Sequence, residues 1–358
     1  MSKAEFLKKC VLLSLINYQM NSAEIKINYS LKAHNTFKLD VYASAFYEYD
    51  TESQIIDFID KGHLTGKEFL VLGSGSNILF TGNFEGLVIH PKTYGISIVN
   101  ESKDKIEVCV SAGEIWDDFV QWAVNKNYYG IENLSMIPGT VGASAIQNIG
   151  AYGSEVSDLI TEVKYIDITD KKIYTINNKD CEFSYRNSIF KTKLKNKVII
   201  LSVNFQLQKS GSLNCEYTGI PEALSCFKNP GLKEMRQSII NIRNSKLPAP
   251  EDIGNAGSFF KNPVTDNDTY QKLKKDFPDI KAFYENNSKI KIAAAWLIEK
   301  CGLKNYEHYG ASVYEKQPLI IINKNNATGK AIFEFSEIIR KKVFEKFGLN
   351  LEPEVIIL

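Results

Sequence analysis

The sequence lacks the features that mark membrane-spanning, metal-binding and disulfide-linked chains. Its 358 residues contain no apolar run approaching the roughly 18 residues that a membrane helix needs. The six cysteines form no CxxC pair and have no histidine cluster beside them, which is typical of reduced thiols. The 43 basic and 42 acidic residues leave a net charge of +1, so no overall field favours nucleic acid or a membrane surface. We expect a cytoplasmic protein with no metal, nucleic-acid or membrane partner.

What the sequence does contain is enough apolar material for large cores. Hydrophobic residues make up 44% of the chain, and the length fits roughly two domains of about 150 residues each. Strand-like and helix-like segments alternate, which predicts a mixed α and β class. After residue 208 the chain becomes richer in turn signals, as in QKSGSLN and KLPAPEDIGNAG, so we predict a domain boundary there. Residues 1–21 are expected to be an extension, with Met20 as an alternative start.

Hydrophobic periodicity predicts the main elements. Helices are predicted at 52–61, 115–130, 291–302 and 335–348, and the last three end at glycines. Apolar or alternating runs predict strands at 68–73, 77–80, 86–91, 106–113, 163–170, 171–177, 198–208, 318–324 and 351–358.

The first glycine-rich segment, GSGSN at 73–77, lies between two predicted strands. Its small residues leave backbone N–H groups unhindered, as in the concave turns that bind phosphate. A Rossmann fingerprint would need a third glycine and a following helix, and this segment has neither. It is therefore a different phosphate-binding turn or simply a tight turn.

The second segment, IPGTVGASAIQNIGAYGSE at 137–155, is more specific. Its glycines alternate with alanines and serines, so the backbone can approach a flat or phosphorylated ligand, and Gln147 and Asn148 add amide groups. The alternative is a sharply wound helix-turn-helix segment packed through small residues.

Three further residues are candidates for chemistry. Arg186, in FSYRNSIFK, is a permanent forked cation suited to a carboxylate or phosphate, and an interface ion pair is the alternative. Glu354, in LEPEV, shares one face of a predicted strand with Glu352. Both glutamates could be solvated, since a catalytic acid needs desolvation to raise its pKa. Ser258 precedes two phenylalanines in GNAGSFFKNP, a mixture that predicts a loop at the floor of a pocket.

In their order along the chain these motifs resemble one enzyme family, the UDP-N-acetylenolpyruvoylglucosamine reductases. The resemblance extends from about Asn28 to the C-terminus and is to the longer of the family's two types, which has a tyrosine loop. Each motif is short, but the ordered set is specific: NTF, GSGSN, IPGTVGASAIQNIGAYG, FSYRNSIFK, KLPAP, GNAGSFFKNP, KQP and LEPEV.

This resemblance implies an α+β protein with a vanillyl-alcohol-oxidase-like (PCMH-type) FAD-binding fold plus a C-terminal α/β substrate-binding domain. The expected FAD-binding region is 22–209, with the PCMH-type domain at about 36–209. The substrate-binding domain is expected at 210–350, and 351–358 is expected to be a strand that carries Glu354 to the active site.

The resemblance also implies FAD as cofactor and NADPH as hydride donor. Non-covalent attachment of FAD is expected, because none of the four histidines lies in a glycine-rich segment. We expect a monomer. The residues expected to bind FAD are Gly73, Ser74, Gly75, Ser76, Asn77, Ile137, Pro138, Gly139, Gly142, Ala143, Ser144, Gln147, Asn148, Gly150, Ala151, Tyr152 and Gly153.

The implied reaction is reduction of UDP-N-acetylglucosamine enolpyruvate to UDP-N-acetylmuramate for peptidoglycan synthesis. Hydride reaches C3 from the flavin, Ser258 protonates C2, and Arg186 and Glu354 stabilise the charge that develops. Alternatives are an FAD-dependent oxidase of the same fold and a non-catalytic protein that binds a nucleotide sugar or flavin. The residues expected around the UDP-sugar are Tyr185, Tyr217, Lys246, Asn262 and Gln317.

Overall fold

The computed structural model describes residues 24–286 and 289–358, so the predicted extension at 1–21 lies outside the described residues. Its strands, in chain order, are β1 Lys26–Ser30, β2 Tyr42–Tyr49, β3 Phe69–Val71, β4 Ile78–Leu79, β5 Phe84–Pro91, β6 Ile96–Glu101, β7 Lys105–Ser111, β8 Gly150–Ala151, β9 Ser154–Glu155, β10 Ile160–Asp167, β11 Ile173–Asn177, β12 Val198–Gln208, β13 Gly254–Ser258, β14 Val264–Thr265, β15 Ala282–Asn286, β16 Lys289–Ile292, β17 Glu307–His308, β18 Ala311–Val313, β19 Ile320–Asn323 and β20 Ile356–Ile357. Its α-helices are α1 Glu52–Asp60, α2 Trp116–Asn125, α3 Val141–Gln147, α4 Ile220–Leu224, α5 Leu232–Lys246, α6 Asn267–Asp276, α7 Ala294–Lys300 and α8 Gly329–Phe347.

Local signals explain where two of the predicted helices begin and end. Helix α1 starts at a capping box, in which the Thr51 side chain accepts from Gln54 N and the Gln54 side chain accepts in return. Helix α8 ends as predicted at Gly348, whose φ of 68° places it in the left-handed region. It begins six residues before the predicted start, because the Thr328 hydroxyl caps it by accepting from Ala331 N.

Three predicted elements need correction. Helix α2 ends at Asn125, not near Gly130. The predicted helix at 291–302 is confined to α7, because Lys291 and Ile292 pair with β15 as part of β16. The final segment, predicted as a strand over 351–358, forms a strand only at β20, which pairs in parallel with β4.

Two sheets form the first half of the fold. One has the order β1-β2-β5-β3 and is parallel except for β1. The other is antiparallel with the order β11-β10-β12-β7-β6, and its longest strand is the β12 run predicted at 198–208. The second half holds a sheet of order β13-β19-β18-β17 and a smaller one of order β14-β16-β15.

The largest apolar core joins the two halves. Phe46 and Val88 of the first sheet belong to the same buried cluster as Phe259, Ile321 and Phe335 of the second half. A separate cluster packs α2 and α3 against the antiparallel sheet. Because residues from both sides of the predicted boundary at 209/210 share one core, the two halves are held together by buried apolar surface as well as by the chain itself.

Among residues 24–286 and 289–358, no helix has the length and apolar character needed to span a bilayer. The cysteines at 109, 181, 215, 226 and 301 are free thiols, and Cys10 lies outside the described residues.

Candidate active site

A cavity of about 420 Å³ opens where the two halves meet. Its wall combines the turn between β3 and β4, the segment around α3, Arg186, and the C-terminal residues Ser258 and Glu354. The three candidate catalytic side chains, which lie far apart in sequence, therefore line one cavity together with both glycine-rich segments.

The GSGSN turn presents donors to this cavity. No backbone N–H from Gly73 to Asn77 donates a hydrogen bond to another described residue. The Ser74 hydroxyl is buried and also has no partner among the described residues. A buried polar group without a partner is costly, and a row of such donors in a concave turn suits an anionic phosphate. These residues fit the pyrophosphate of a dinucleotide cofactor such as FAD.

Glycine is required at the centre of this turn. Gly75 has φ of +66°, and a Cβ built on it would lie 2.0 Å from the backbone oxygen of His34. The carbonyl of Gly75 in turn accepts from Thr36 N at 3.3 Å. The NTF segment at 35–37 therefore packs directly behind the turn and fixes its shape.

The second segment is one short helix followed by a hairpin, so the helix-turn-helix alternative is wrong. Asn148, which has φ of 45°, caps the C-terminal end of helix α3, and β8 and β9 follow. Fourteen of the residues expected to bind FAD line the cavity: Gly73, Ser74, Gly75, Ser76, Asn77, Ile137, Pro138, Gly139, Ala143, Ser144, Gln147, Gly150, Ala151 and Tyr152.

Gly142, Asn148 and Gly153 do not line the cavity, and each has a local role. A Cβ on Gly142 would lie 2.9 Å from the Cβ of Ala112, so glycine allows α3 to pack against the sheet. The Asn148 amide donates to Ser184 O at 3.0 Å and so ties the helix end to the Arg186 turn. Gly153, with φ of 80°, forms the bend between β8 and β9.

Arg186 is held by backbone oxygens of the second glycine-rich segment. Its Nη2 donates to Gly150 O at 2.6 Å and its Nη1 to Asn148 O at 3.3 Å. Its Nε lies 2.9 Å from Glu354 Oε1, an ion pair in which the Nε–H does not form a directed hydrogen bond. Arg186 itself has φ of 55°, a left-handed conformation that is uncommon for a non-glycine residue. The guanidinium is thus oriented within the protein.

The side chain of Glu354 is mostly shielded from solvent, whereas that of Glu352 is solvated. Glu354 N donates to Phe259 O at 2.8 Å, and Asn77 Nδ2 donates to Glu354 O at 3.2 Å. The side chain of Glu354 is 18% exposed, against 75% for Glu352. Burial raises the pKa of Glu354, and the nearby Arg186 opposes that rise. The two glutamates therefore differ in environment, and only Glu354 has the desolvation expected of a catalytic acid.

Ser258 lies at the end of strand β13 and not in the predicted loop. The ladder between β13 and β19 shifts register between Asn255 and Ser258, and Gly257 in this bulge has φ of +66°. Such a bulge redirects the side chain that follows it, and Ser258 lines the cavity. Phe259 and its neighbour Phe260 are buried at 0% and 1% exposure and anchor the strand end in the core, as the sequence suggested.

The residues expected to contact the UDP-sugar fall into two groups. Tyr217, Lys246 and Gln317 line the cavity. Tyr185 and Asn262 do not. The Tyr185 ring packs 3.7 Å from Lys291 Nζ, and Asn262 Oδ1 accepts from Ala294 N at the start of α7.

Sequence reasoning missed Arg243, Thr140 and Trp116, which also line the cavity. Arg243 lies three residues before Lys246 on α5, and that helical spacing could have indicated a shared face. Thr140 packs against the GSGSN turn, since a Cβ on Gly73 would lie 2.8 Å from its Oγ1. None of the four histidines, all of them described, lines the cavity; non-covalent attachment of FAD stays a prediction.

Comparison with known proteins agrees with this geometry. The family described as UDP-N-acetylenolpyruvoylglucosamine reductase, C-terminal domain, matches residues 248–358, and an FAD binding domain matches residues 43–177. The UDP-N-acetylenolpyruvoylglucosamine reductase of Bacteroides fragilis is 41% identical over 91% of this chain and 98% of its own. That of Buchnera aphidicola is 43% identical over 92% and 98%. A crystal structure of UDP-N-acetylenolpyruvylglucosamine reductase from Thermus caldophilus superposes with a TM-score of 0.62 at 20% identity, covering 93% and 98%.

The fold and the donor-lined cavity define an FAD-binding oxidoreductase of the PCMH-type, vanillyl-alcohol-oxidase-like class with an added C-terminal domain. The α+β fold class expected from the motifs is confirmed. More narrowly, the chain belongs to the UDP-N-acetylenolpyruvoylglucosamine reductase family.

Proposed function

We propose that this flavoenzyme uses NADPH to reduce UDP-N-acetylglucosamine enolpyruvate to UDP-N-acetylmuramate, a step of peptidoglycan synthesis. Bound FAD would supply hydride chemistry, accepting hydride from NADPH and passing it to C3 of the enolpyruvyl group. The observation that supports the proposal best is the convergence of Arg186, Ser258 and Glu354 on the cavity that also holds the GSGSN turn. Family membership supports the same reaction.

Arg186 and Glu354 are proposed to stabilise the charge that hydride addition creates. Addition at C3 leaves an electron pair at C2 that delocalises into the substrate carboxylate. The Nε–H of Arg186 is buried and lies 2.9 Å from Glu354 Oε1 without a directed hydrogen bond, and we propose that it turns to the substrate carboxylate when that carboxylate is bound. Burial raises the pKa of Glu354, and we propose that its protonated form donates a second hydrogen bond to the substrate carboxylate. Preoriented donors of this kind are among the largest contributions to catalysis.

Ser258 is proposed to deliver the proton to C2. Its strand end is fixed in three ways: by the β19 ladder, by the buried phenylalanines that follow, and by the Phe259 carbonyl that accepts from Glu354 N. The same backbone therefore sets the positions of the proton donor and of the acid. Positioned acid catalysis contributes a factor of about 10² to 10⁴ in rate.

The anionic parts of the ligands are assigned to two regions of the cavity. The N–H groups of residues 73–77 would hold the FAD pyrophosphate. Lys246, Tyr217 and Gln317, which line the same cavity, would hold the nucleotide sugar. Tyr185 and Asn262 do not line the cavity, and their contact with the substrate stays a prediction. We propose the corresponding division into an FAD-binding region at 22–209, a substrate-binding domain at 210–350 and an active-site segment at 351–358.

A cytoplasmic location and a monomeric state are also proposed. The free thiols among the described cysteines are compatible with a reducing compartment. Sedimentation analysis of the purified protein would test the monomer directly.

Anaerobic stopped-flow absorbance of the flavin tests the reaction. NADPH should bleach the bound flavin, and UDP-N-acetylglucosamine enolpyruvate should then restore its colour. UDP-N-acetylglucosamine, which lacks the enolpyruvyl group, is the matched control and should not restore it. Rapid reoxidation by air with no response to the enolpyruvyl compound would favour the oxidase alternative, and a protein that cannot be reconstituted with FAD would contradict both.

A further inference from the structure

A partly buried lysine that does not line the cavity, Lys191, connects Arg186 with the segment expected to bind FAD. The Nζ of Lys191 donates to Gln147 Oε1 at 2.9 Å and to the backbone oxygen of Arg186 at 3.0 Å. Gln147 ends helix α3 and lines the cavity on the side expected to hold FAD. The ammonium group of Lys191 therefore links Gln147, on the side of the cavity expected to hold FAD, to the backbone turn that contains Arg186.

The backbone of Arg186 needs such support. Its φ of 55° is a left-handed conformation that strains a non-glycine residue. Arg186 belongs to a tight turn in which Ser184 and Asn187 exchange backbone hydrogen bonds of 3.1 and 2.9 Å. Within that turn the carbonyl of Arg186 accepts from Lys191. A hydrogen bond from a charged donor is roughly twice as strong as one from a neutral donor, so Lys191 stabilises the strained backbone conformation that directs the guanidinium.

The electrostatic environment is consistent with this role. Burial lowers the pKa of Lys191 to about 8, with Lys261, Arg186 and Lys195 acting in the same direction and Glu354 opposing them. The amine is therefore still mostly protonated at neutral pH. The local sequence explains the reach: Lys191 ends a short 3-10 turn at Ile189–Lys191, which brings its side chain back over the arginine turn.

We propose that Lys191 is a positioning residue that holds Arg186 in its catalytic orientation and couples it to Gln147. This inference rests on the proposed function, since it assigns Arg186 a task in the second half of the reaction. Lys191 itself is not among the residues that line the cavity.

The test compares Lys191→Met, which removes the charge at similar length, with Lys191→Arg, which keeps it. By anaerobic stopped flow, Lys191→Met should be reduced by NADPH within about threefold of wild type but reoxidised by the enolpyruvyl substrate at least tenfold more slowly. Lys191→Arg should recover most of that rate. Lys197→Met, at an exposed lysine six residues later, is the matched control and should behave as wild type.

A double variant separates positioning from a general structural effect. If Lys191 acts through Arg186, then Lys191→Met should add little to the slowing already caused by Arg186→Met. A crystal structure of Lys191→Met provides a second measurement that does not depend on activity, and it should show Arg186 displaced from Asn148 O and Gly150 O.

Several results would overturn the proposal. The first is reoxidation of Lys191→Met within threefold of the wild-type rate, and the second is equal slowing of Lys191→Arg and Lys191→Met. The third is a double variant whose slowing of reoxidation is the product of the slowing in the two single variants. The fourth is a crystal structure of Lys191→Met in which Arg186 has not moved. Loss of FAD affinity with a normal rate after saturation would instead indicate that Lys191 acts on the flavin alone. If the substrate fails to reoxidise the reduced wild-type enzyme, the proposed function is refuted. The crystal structure of Lys191→Met would still show whether Lys191 positions Arg186.

Discussion

Gly75→Ala should separate the binding of FAD from the stability of the fold. A Cβ at this position would lie 2.0 Å from His34 O, whereas real Cβ contacts are essentially never under 3.0 Å. The turn must therefore move by about 1 Å, the difference between these distances, which is enough to break hydrogen bonds to a phosphate. Alanine at φ of +66° adds about 1–2 kcal/mol of backbone strain.

The two effects act on different quantities. The strain is present with and without cofactor, so it lowers the free energy of unfolding of the apoprotein by about 1–2 kcal/mol. Loss of one or two charged hydrogen bonds, at about 1.5–3 kcal/mol each, acts only on binding. Taking about 3 kcal/mol for that loss, the dissociation constant for FAD should rise about a hundredfold, at about 1.4 kcal/mol for each factor of ten.

Titration of apoprotein with FAD, followed by quenching of flavin fluorescence, measures the dissociation constant, and urea unfolding of the apoprotein measures stability. Gly82→Ala is the matched control, because a Cβ at Gly82 meets no atom within 4 Å and its φ lies outside the left-handed range. A folded Gly75→Ala protein that binds FAD within threefold of wild type would refute the assignment of this turn to the cofactor.

Two other predictions concern Glu354. Because burial raises the pKa of Glu354, its protonated fraction, and hence the reoxidation rate, should fall as pH rises through that pKa. Glu354→Gln carries a permanently neutral donor, so it should lose this pH dependence while keeping part of the rate. An unchanged pH profile in this variant would contradict the role of Glu354 as a protonated donor. Deleting residues 356–358 removes the β20–β4 pairing and the hydrogen bond from Thr81 N to Leu358 O, which we expect to position the adjacent Glu354. Reoxidation by substrate should therefore slow at least tenfold, while reduction by NADPH persists. Equal reoxidation rates in the deleted and full-length proteins would show that this pairing does not position Glu354.

Much of the site could be predicted from the sequence because its motifs are local. The GSGSN turn and the small-residue segment are contiguous, and fourteen of their residues, as given above, line the cavity. The charged candidates Arg186 and Glu354 could be identified by motif, but their ion pair at 2.9 Å could not, because it joins residues 168 positions apart, the difference between their numbers.

Three of the errors share a physical cause, which is strand pairing that overrides the local sequence pattern. KIAAAWLIEKCG has helical periodicity throughout, yet its first two residues are drawn into β16 by the partner strand β15. GNAGS is a poor strand sequence by propensity, yet it pairs with β19 through a bulge. LEPEVIIL forms a strand only where β4 offers a partner. Asn148 and Gly142 are expected to bind FAD because amide and small residues suit a ligand site, yet both serve internal contacts. Composition alone does not distinguish these two uses.

The central claim is that Ser258 donates the proton to C2, and the most direct test is stopped-flow reoxidation of the NADPH-reduced flavin in Ser258→Ala. The variant should bind FAD and be reduced by NADPH at the wild-type rate, because the hydroxyl takes no part in that half of the reaction. Reoxidation by UDP-N-acetylglucosamine enolpyruvate should slow by a factor of about 10² or more, the lower end of what a positioned acid contributes. Reoxidation at the wild-type rate would contradict the assignment of Ser258 and, with it, the proposed mechanism.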